Sequence, residues 1–292
     1  MKVVDVHTHG IDGFDTRSST VDGMLRIAEI HGAAGVSKIV LSIYPAPIRE
    51  MRRQIELVRE AMERQVHGSG VAVHGGGARI LGVHLEGPFL NPTRSGALNP
   101  SFFIDPEERV FRELIEGFED SIVVITVAPE RKGAGALIRK VSDLGIVVSM
   151  GHSDATYSEA EAGFNAGARG ITHLFNGMRG FHHREPGLAG FGLLNRHIYV
   201  EVIADPFHLH DATLKLIFEM KEPNKIVLVS DSVKETRTAG GYGRIDDPSG
   251  RLQGGSMTIT ESARRLVALG LRENTVMNAV TNNPRQYLML KA

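Results

Sequence analysis

Residues 3–9 read Val3-Val4-Asp5-Val6-His7-Thr8-His9, a short apolar run that ends in two histidines one residue apart. Side chains at positions i and i+2 of a strand point to the same side, so His7 and His9 are expected to aim at one point. Two converging imidazoles at a strand end are typical of a metal site. Taken alone, the motif is equally compatible with a pair of surface or core-edge histidines.

Short runs rich in β-branched apolar residues recur along the chain at roughly even spacing. Most of them are apolar without interruption, which is the pattern of parallel strands buried on both faces. They predict eight strands: Val3–Val6, Lys38–Ser42, Ile80–Leu85, Ile122–Ala128, Ile146–Met150, Ile171–Phe175, Tyr199–Ala204 and Ile226–Ser230.

Amphipathic segments with apolar residues at helical spacing lie between these strands. They predict helices over Met24–Ala34, Ile48–Gln65, Pro106–Gly117, Ala134–Leu144, Tyr157–Ala166 and Ala212–Met220. Strands that alternate with helices in this way predict a (β/α)8 barrel, one domain over residues 1–292. A doubly wound open sheet is the alternative. The barrel is favoured because chemically active residues follow the carboxyl ends of the strands throughout.

Composition excludes several classes of function. The 33 Lys and Arg residues nearly balance the 34 Asp and Glu residues, so no basic patch for nucleic acid or membrane is expected. The absence of cysteine excludes disulfides and thiolate ligands, so a metal must be held by histidine and carboxylate. No signal peptide and no apolar run of about 20 residues is evident, and a cytoplasmic location is expected.

Polar residues interrupt the apolar runs at the same relative place in several strands. Glu86 follows the third predicted strand, His152 follows the fifth, His173 lies in the sixth and Asp231 follows the eighth. Together with the two histidines of the first strand, they predict a divalent metal site at one rim of the barrel. A divalent ion would activate water for hydrolysis, and Asp231 is the best candidate for the carboxylate that takes the proton.

A series of longer motifs runs in order from residue 3 to about residue 285. It comprises Val4-Asp5-Val6-His7-Thr8-His9-Gly10, Gly82-Val83-His84-Leu85-Glu86-Gly87-Pro88-Phe89-Leu90-Asn91-Pro92, Thr126-Val127-Ala128-Pro129-Glu130, Gly151-His152-Ser153-Asp154-Ala155-Thr156-Tyr157, Thr172-His173-Leu174-Phe175-Asn176-Gly177-Met178, His182-His183-Arg184-Glu185-Pro186-Gly187-Leu188, Ile203-Ala204-Asp205 with His208, and Ile226-Val227-Leu228-Val229-Ser230-Asp231. In these motifs the chain resembles the N-acetylglucosamine-6-phosphate deacetylases of the amidohydrolase superfamily.

The resemblance implies a metal bound by Glu86, His152 and His173, and a second metal supported by His7 and His9 with Glu86 bridging. It therefore implies one or two divalent ions, with zinc first and iron, cobalt or manganese as alternatives. It also implies that Asp231 is the catalytic acid and base and that His208 polarises the acetyl carbonyl.

The substrate implied by the resemblance is a small amino sugar phosphate. Arg184 matches a phosphate-binding arginine that the partner subunit of a homodimer can supply. The other implied substrate contacts, besides His208, are Ala97, Asn176, Gly177, Leu252, Gln253 and Gly254.

The chain departs from the family pattern because the strands that form a small β-sandwich are not evident on either side of the barrel. We therefore expect a bare barrel, closed by helices over Glu261–Leu269 and Glu273–Leu290. The primary functional hypothesis is deacetylation of an N-acetyl amino sugar 6-phosphate by metal-activated water. The alternatives are an amidohydrolase for a different N-acyl or cyclic amide substrate, and a non-catalytic ligand-binding barrel.

Overall fold

A computed structural model describes residues 2–17, 20–67 and 76–290. Its main sheet has eight strands: β1 (Val4–Thr8), β2 (Lys38–Ile43), β3 (Arg79–Glu86), β4 (Ile122–Val127), β5 (Val147–Met150), β6 (Gly170–Ile171), β7 (Tyr199–Ile203) and β8 (Ile226–Val229). A two-stranded hairpin, Gly10–Ile11 with Phe14–Asp15, follows β1.

Each strand of the main sheet pairs in parallel with the next strand along the chain. The last strand returns to the first, because the Asp231 amide donates to the His7 carbonyl at 2.9 Å and the His9 amide donates to the Ser232 carbonyl at 2.8 Å. A sheet that closes on itself in chain order is a barrel and not a doubly wound sheet. Apart from the hairpin, the described ranges contain no second sheet, and the predicted single-domain (β/α)8 barrel is confirmed.

The helices surround the sheet. They are α1 (Val21–Ala33), α2 (Ile48–His67), α3 (Glu108–Ile115), α4 (Ala134–Asp143), α5 (Tyr157–Asn165), α6 (Gly187–Leu194), α7 (Asp211–Met220), α8 (Ile259–Ala268), α9 (Glu273–Val280) and α10 (Asn282–Tyr287). Short 3₁₀ turns cover Pro92–Arg94, Pro100–Phe102, Glu119–Ser121 and Pro223–Lys225. Within the described ranges, no helix combines the length and the apolar character needed to cross a lipid bilayer.

Three details differ from the sequence-based expectations. The sixth strand ends at Ile171 and not at Phe175, because His173 and Phe175 adopt positive φ angles that turn the chain out of the sheet. The single helix expected over Glu273–Leu290 is two helices, interrupted at Thr281 with φ −125° and ψ −73°. Helix α6 was not predicted.

Buried apolar side chains fill the part of the barrel interior nearest its amino-terminal end. Valines from several strands form a buried cluster with Tyr199, Ile203, Tyr287 and Leu288. Because Tyr287 ends α10 and Leu288 follows it, the last helix closes the amino-terminal end of the barrel, as a closing helix in this part of the chain was expected to do. The opposite, carboxyl-terminal end stays open and carries the polar residues.

Candidate metal and active site

The six polar residues predicted at the strand ends converge at the carboxyl-terminal mouth of the barrel. Three of them, His152, His173 and Asp231, lie just beyond strands β5, β6 and β8 and have φ angles of +46°, +30° and +47°. Left-handed backbone is uncommon for residues other than glycine, although histidine and aspartate adopt it more often than most, and it clusters at functional sites. Each strand therefore ends in a sharp turn that aims the next polar side chain into the barrel mouth.

The first half of the cluster contains His7, His9 and Asp231. The Nε2 atoms of the two histidines are 3.2 Å apart. Asp231 Oδ1 lies 3.4 Å from His7 Nε2 and 3.6 Å from His9 Nε2. These three side chains offer one ligand atom each within a space that a metal ion would fill.

The second half contains Glu86, His152 and His173. Glu86 Oε1 lies 3.1 Å from the Nε2 atom of each of these histidines, which are 3.2 Å from one another. The other carboxylate oxygen, Oε2, lies 3.1 Å from His9 Nε2. Glu86 therefore stands between the two halves and lies close to histidines of both.

All four histidines are oriented in the same sense. Each directs Nε2 into the cluster and Nδ1 outward, to an acceptor 2.9 to 3.3 Å away. The outer acceptors are Glu201 Oε2 for His7 and the carbonyls of Ser42, Arg94 and Asn176 for His9, His152 and His173.

This orientation fits a bound cation. An acceptor at Nδ1 fixes the proton there and leaves a lone pair on Nε2, so each pair of Nε2 atoms turns two lone pairs toward one another. Ligand atoms around a tetrahedral ion at about 2.0–2.1 Å stand about 3.3 Å apart. The observed separations of 3.2 Å match that spacing, and the donor set of imidazoles and carboxylates suits a divalent ion.

The charges of the cluster are shaped by burial. Burial lowers the pKa of His7 well below its ordinary value, so the ring is neutral and able to coordinate. Burial alone would raise the pKa of Glu86, but the contacts with His7, His152 and His173 outweigh burial and hold that pKa well below its usual range. Burial, reinforced by the charge of Glu86, raises the pKa of Asp231 well above its ordinary value.

Glu201 supports the cluster and was missed at the level of sequence. Its side chain is buried in β7, accepts from Tyr287 at 3.1 Å and faces His7 Nδ1 at 3.3 Å. Burial raises its pKa to about 8. The available signal was a glutamate in the middle of the apolar run Tyr199–Ile203, since a charge in a central strand needs a polar partner.

A layer of hydrogen-bonded side chains separates the cluster from the valines below. Ser42 contacts His84 at 3.0 Å, His84 contacts Thr126 at 2.8 Å, and Thr172 joins Thr126 to Ser149 at 2.8 and 2.7 Å. Burial lowers the pKa of His84 well below its ordinary value, so this ring is a neutral member of the layer.

His208 stands on the loop after β7, held by Asp205. Its Nδ1 atom lies 2.9 Å from Asp205 Oδ2, and the same carboxylate accepts the backbone amides of Phe207, His208 and Ser256. Its ring is therefore fixed, and Nε2 is the nitrogen left to act on a ligand.

One cavity of about 810 Å³ opens over the cluster. His9, Glu86, His152, His173 and Asp231 form part of its wall, whereas His7 lies beneath it. All but one of the predicted substrate contacts line it: Ala97, Asn176, Gly177, His208, Leu252, Gln253 and Gly254.

Arg184 is the exception. It is exposed on the loop after β6 and is not part of the cavity wall of its own chain. Two other arginines, Arg17 and Arg251, do line the cavity, and neither was singled out from the sequence. Arg17 follows the hairpin, and Arg251 lies in the long segment after β8. Neither segment has a periodic apolar pattern from which the direction of a side chain could be predicted.

Comparison with known proteins finds relatives along nearly the whole chain. The N-acetylglucosamine-6-phosphate deacetylase of Vibrio furnissii is 32% identical over 276 residues, which cover 90% of this chain and 67% of that protein. The N-acetylgalactosamine-6-phosphate deacetylase of Escherichia coli O157:H7 is 31% identical over 278 residues, which cover 91% of this chain and 71% of that protein. No family model matches the chain.

Solved structures give the same result for the fold. A mutant N-acetyl-D-glucosamine-6-phosphate deacetylase from Mycobacterium smegmatis, in complex with N-acetyl-D-glucosamine-6-phosphate, superposes with a TM-score of 0.86 at 29% identity. The match covers 100% of this chain and 78% of that one.

Proposed function

The chain belongs to the N-acetylglucosamine-6-phosphate deacetylase family, as its motifs suggested, and we propose that it removes the acetyl group from an N-acetyl amino sugar 6-phosphate. One observation carries this proposal. Four inward-facing imidazole nitrogens and two carboxylates meet in a single cluster, and one cavity opens directly over it. The unit that acts is the barrel over residues 1–292.

His7, His9, Glu86, His152 and His173 would hold one or two divalent ions. Zinc is the first choice for this set of ligands, and iron, cobalt or manganese are alternatives. A bound ion of this kind supplies Lewis acidity, which polarises a carbonyl oxygen and makes a water molecule more acidic.

Asp231 moves the proton in this mechanism. Its carboxylate accepts a proton from the attacking water as the new C–O bond forms at the acetyl carbon. It then returns that proton to the sugar nitrogen as the C–N bond breaks, which leaves acetic acid and a free amine; transfer of the acid proton to the amine gives acetate and an ammonium group. Its position beside the cavity and against His7 and His9 allows both transfers without a second acid.

His208 acts on the carbonyl oxygen. The Asp205 carboxylate holds Nδ1, so Nε2 is the atom that would donate a hydrogen bond to this oxygen as negative charge develops there. The same contact fixes the ring in one orientation, which reduces the reorganisation that the reaction needs.

The substrate class is an N-acetylhexosamine 6-phosphate. The relatives named above act on the gluco and the galacto sugar at nearly equal identity to this chain, so sequence distance does not choose between them. Asn176, Gly177, Ala97 and the segment 252–254 surround the space above the cluster where the sugar would lie.

Arg184 is proposed to act in a homodimer. It is exposed, and it is not part of the cavity wall of its own chain. Both features suit an arginine that binds the phosphate of a substrate held by a second copy of the chain. Light scattering would show whether the protein is a dimer. Mixing Arg184→Met protein with Asp231→Asn protein would then restore activity in heterodimers if the arginine acts across the interface, and would restore none if it acts within its own chain.

The activity itself is tested by acetate release from metal-loaded protein. We expect turnover of N-acetylglucosamine 6-phosphate, its loss with a chelator and its return with zinc. N-Acetylgalactosamine 6-phosphate and both unphosphorylated sugars are assayed in parallel. Turnover of another N-acyl compound alone would favour the alternative substrate. Failure to bind any divalent ion, together with no turnover, would favour a non-catalytic barrel.

A further inference from the structure

Arg17 is a cation in the cavity that has no role in the proposed mechanism. Its guanidinium makes two hydrogen bonds to Asp15, from Nε to Oδ1 at 3.1 Å and from Nη2 to Oδ2 at 2.9 Å. The Arg17 backbone amide also donates to Asp15 Oδ1 at 2.8 Å. The Asp15 side chain is only 1% exposed, whereas 45% of the Arg17 side chain is exposed. A buried carboxylate therefore holds an accessible guanidinium in place.

The Tyr44 ring places this guanidinium near the candidate metal site. The guanidinium carbon lies 4.1 Å from the centre of the Tyr44 ring, and the Tyr44 ring stacks on His9 with centres 3.8 Å apart. The Arg17 guanidinium and the His9 ring both lie too close to Tyr44 to share one face of its ring, so they occupy opposite faces. Arg17 is therefore no more than about 8 Å from the ring of a proposed metal ligand.

Part of the hydrogen-bonding capacity of Arg17 is unused. A guanidinium has five N–H donors, and Asp15 takes two of them. Nη1 makes no hydrogen bond to any residue in the described part of the chain. The remaining donors lie in the wall of a cavity from which Arg184 of the same chain is absent.

We propose that Arg17 determines specificity by binding an oxyanion of the substrate within the same chain. This inference rests on the proposed hydrolase function. The oxyanion is either the phosphate monoester of the sugar or a carboxylate on the acyl group, since a guanidinium fork recognises both. Asp15 and Tyr44 orient the fork beforehand, so little conformational entropy is lost when the anion binds.

The test compares selectivity between paired substrates in wild type, Arg17→Met and Arg17→Lys. The first pair is N-acetylglucosamine 6-phosphate and N-acetylglucosamine, and the second is N-succinylglucosamine and N-acetylglucosamine. Arg17→Met is expected to lower the kcat/KM ratio of one pair about 10-fold or more, mainly through KM, and Arg17→Lys is expected to restore part of it. A fall in the first ratio identifies a phosphate, and a fall in the second identifies a carboxylate.

Arg64→Met is the matched control, because Arg64 is paired with acidic side chains and half exposed like Arg17 but lies on the outer helix α2. It should leave both ratios unchanged. The proposal is overturned if Arg17→Met changes neither ratio, or if it lowers kcat/KM of all three substrates by the same factor while the thermal unfolding temperature is retained.

A binding measurement separates this proposal from the activity. If wild-type protein releases no acyl group from any substrate, the proposed function fails. Calorimetric titration of metal-loaded protein then measures the affinity for glucosamine 6-phosphate, glucosamine and succinate, which tests the role of Arg17 independently of turnover. Weaker binding of either anion to Arg17→Met than to wild type, with glucosamine unaffected, supports the anion site. If wild type and Arg17→Met bind glucosamine 6-phosphate with equal affinity, and also bind succinate with equal affinity, the proposed anion site is refuted.

Discussion

Asp231 is the residue on which the proposed chemistry depends most directly. Replacing it with asparagine keeps the shape of the side chain and removes its ability to accept a proton. Asp231→Asn should therefore lower kcat by at least about 100-fold, because general acid–base catalysis contributes about 10²- to 10⁴-fold. Metal content, measured by elemental analysis, should stay near that of wild type because five other ligands remain. Retained turnover would refute the assigned role.

Glu201 is expected to act through the metal and not on the substrate. Glu201→Ala removes the acceptor for His7 Nδ1, so the ring loses its fixed orientation. Removal of such an outer partner typically weakens metal binding about 10- to 100-fold. Competition titration with a chromophoric chelator measures this affinity. Tyr287→Phe removes the other bond to Glu201 and should have the smaller effect; an affinity unchanged in Glu201→Ala would contradict the role.

Sequence reasoning reached the strand-end residues because their spacing is visible. His7 and His9 share one face of a strand, and Glu86 ends an apolar run. It did not reach Glu201, which acts from the middle of a strand, or Arg17, whose position depends on the fold of a hairpin and on stacking with a distant ring. Contacts between residues far apart in the chain leave no periodic signal.

At the scale of elements, the loop after β7 is fixed by one carboxylate. Burial alone would raise the pKa of Asp205, but its bonds to His208 and to backbone amides outweigh burial and hold that pKa well below the ordinary value. A carboxyl whose pKa is lowered by folding stabilises the protein above its unfolded pKa of about 3.9, and this stabilisation is lost as the pH falls through the folded pKa.

Asp205→Asn should therefore reduce the free energy of unfolding by about 2 kcal/mol at pH 7, a typical value for hydrogen bonds to a charged group. The difference from wild type should shrink below about pH 4. Urea unfolding of chelator-treated proteins at several pH values measures it. Asp22→Asn, at a side chain that is 86% exposed, is the control and should differ little from wild type at any pH. A difference independent of pH would contradict the assignment.

The segment that returns after β8 depends on close backbone approach. A Cβ atom on Gly255 would lie 1.8 Å from the Ser230 carbonyl oxygen, and the Gly255 amide donates to the Asp231 carbonyl at 2.7 Å. Gly255→Ala must therefore displace the backbone that carries Asp231. We expect a loss of about 1–3 kcal/mol in the free energy of unfolding and a lower kcat.

Gly243→Ala is the matched control, since no atom lies within 4 Å of the added methyl group in the same segment. Chemical denaturation measures the free energy of unfolding of both variants, and steady-state kinetics measures their kcat. Equal effects of the two substitutions would show that the close approach at Gly255 is unimportant.

The elements that sequence reasoning missed or misplaced are those without a regular apolar pattern. Helix α6 contains three glycines and is buried on nearly all sides, so it has no polar face to mark it. Strand β6 is two residues long because positive φ angles at His173 and Phe175 end it early. The longer strands and helices, with periodic burial, were located within a few residues.

At the scale of the whole molecule, the metal cluster joins distant parts of the barrel. Its residues come from strands β1 and β3 and from the turns after β5, β6 and β8, so the cluster joins five of the eight strands of the closed sheet. The sequence predicted this convergence because all parallel strands of a barrel end at the same rim. It could not predict the outer acceptors that orient each ring, since three of them are backbone carbonyls.

Metal loading should therefore stabilise the entire fold. An ion that binds only the folded barrel adds RT ln(1 + [L]/Kd), which is about 2.7 kcal/mol at a free concentration 100 times Kd. Differential scanning calorimetry should show a Tm that rises with each addition of zinc to chelator-treated protein. The rise should shrink as the pH falls, because protons compete with the ion for its ligand atoms.

Glu86→Gln is the comparison variant for this experiment. It removes the charge that faces all four histidines and should lose most of the metal-dependent rise in Tm, because an amide is a poorer ligand than a carboxylate. The metal-free Tm of the two proteins should differ far less than their metal-loaded values, since the gain arises only on binding. A wild-type Tm that is independent of zinc, or an equal rise in Glu86→Gln, would show that the cluster does not hold an ion.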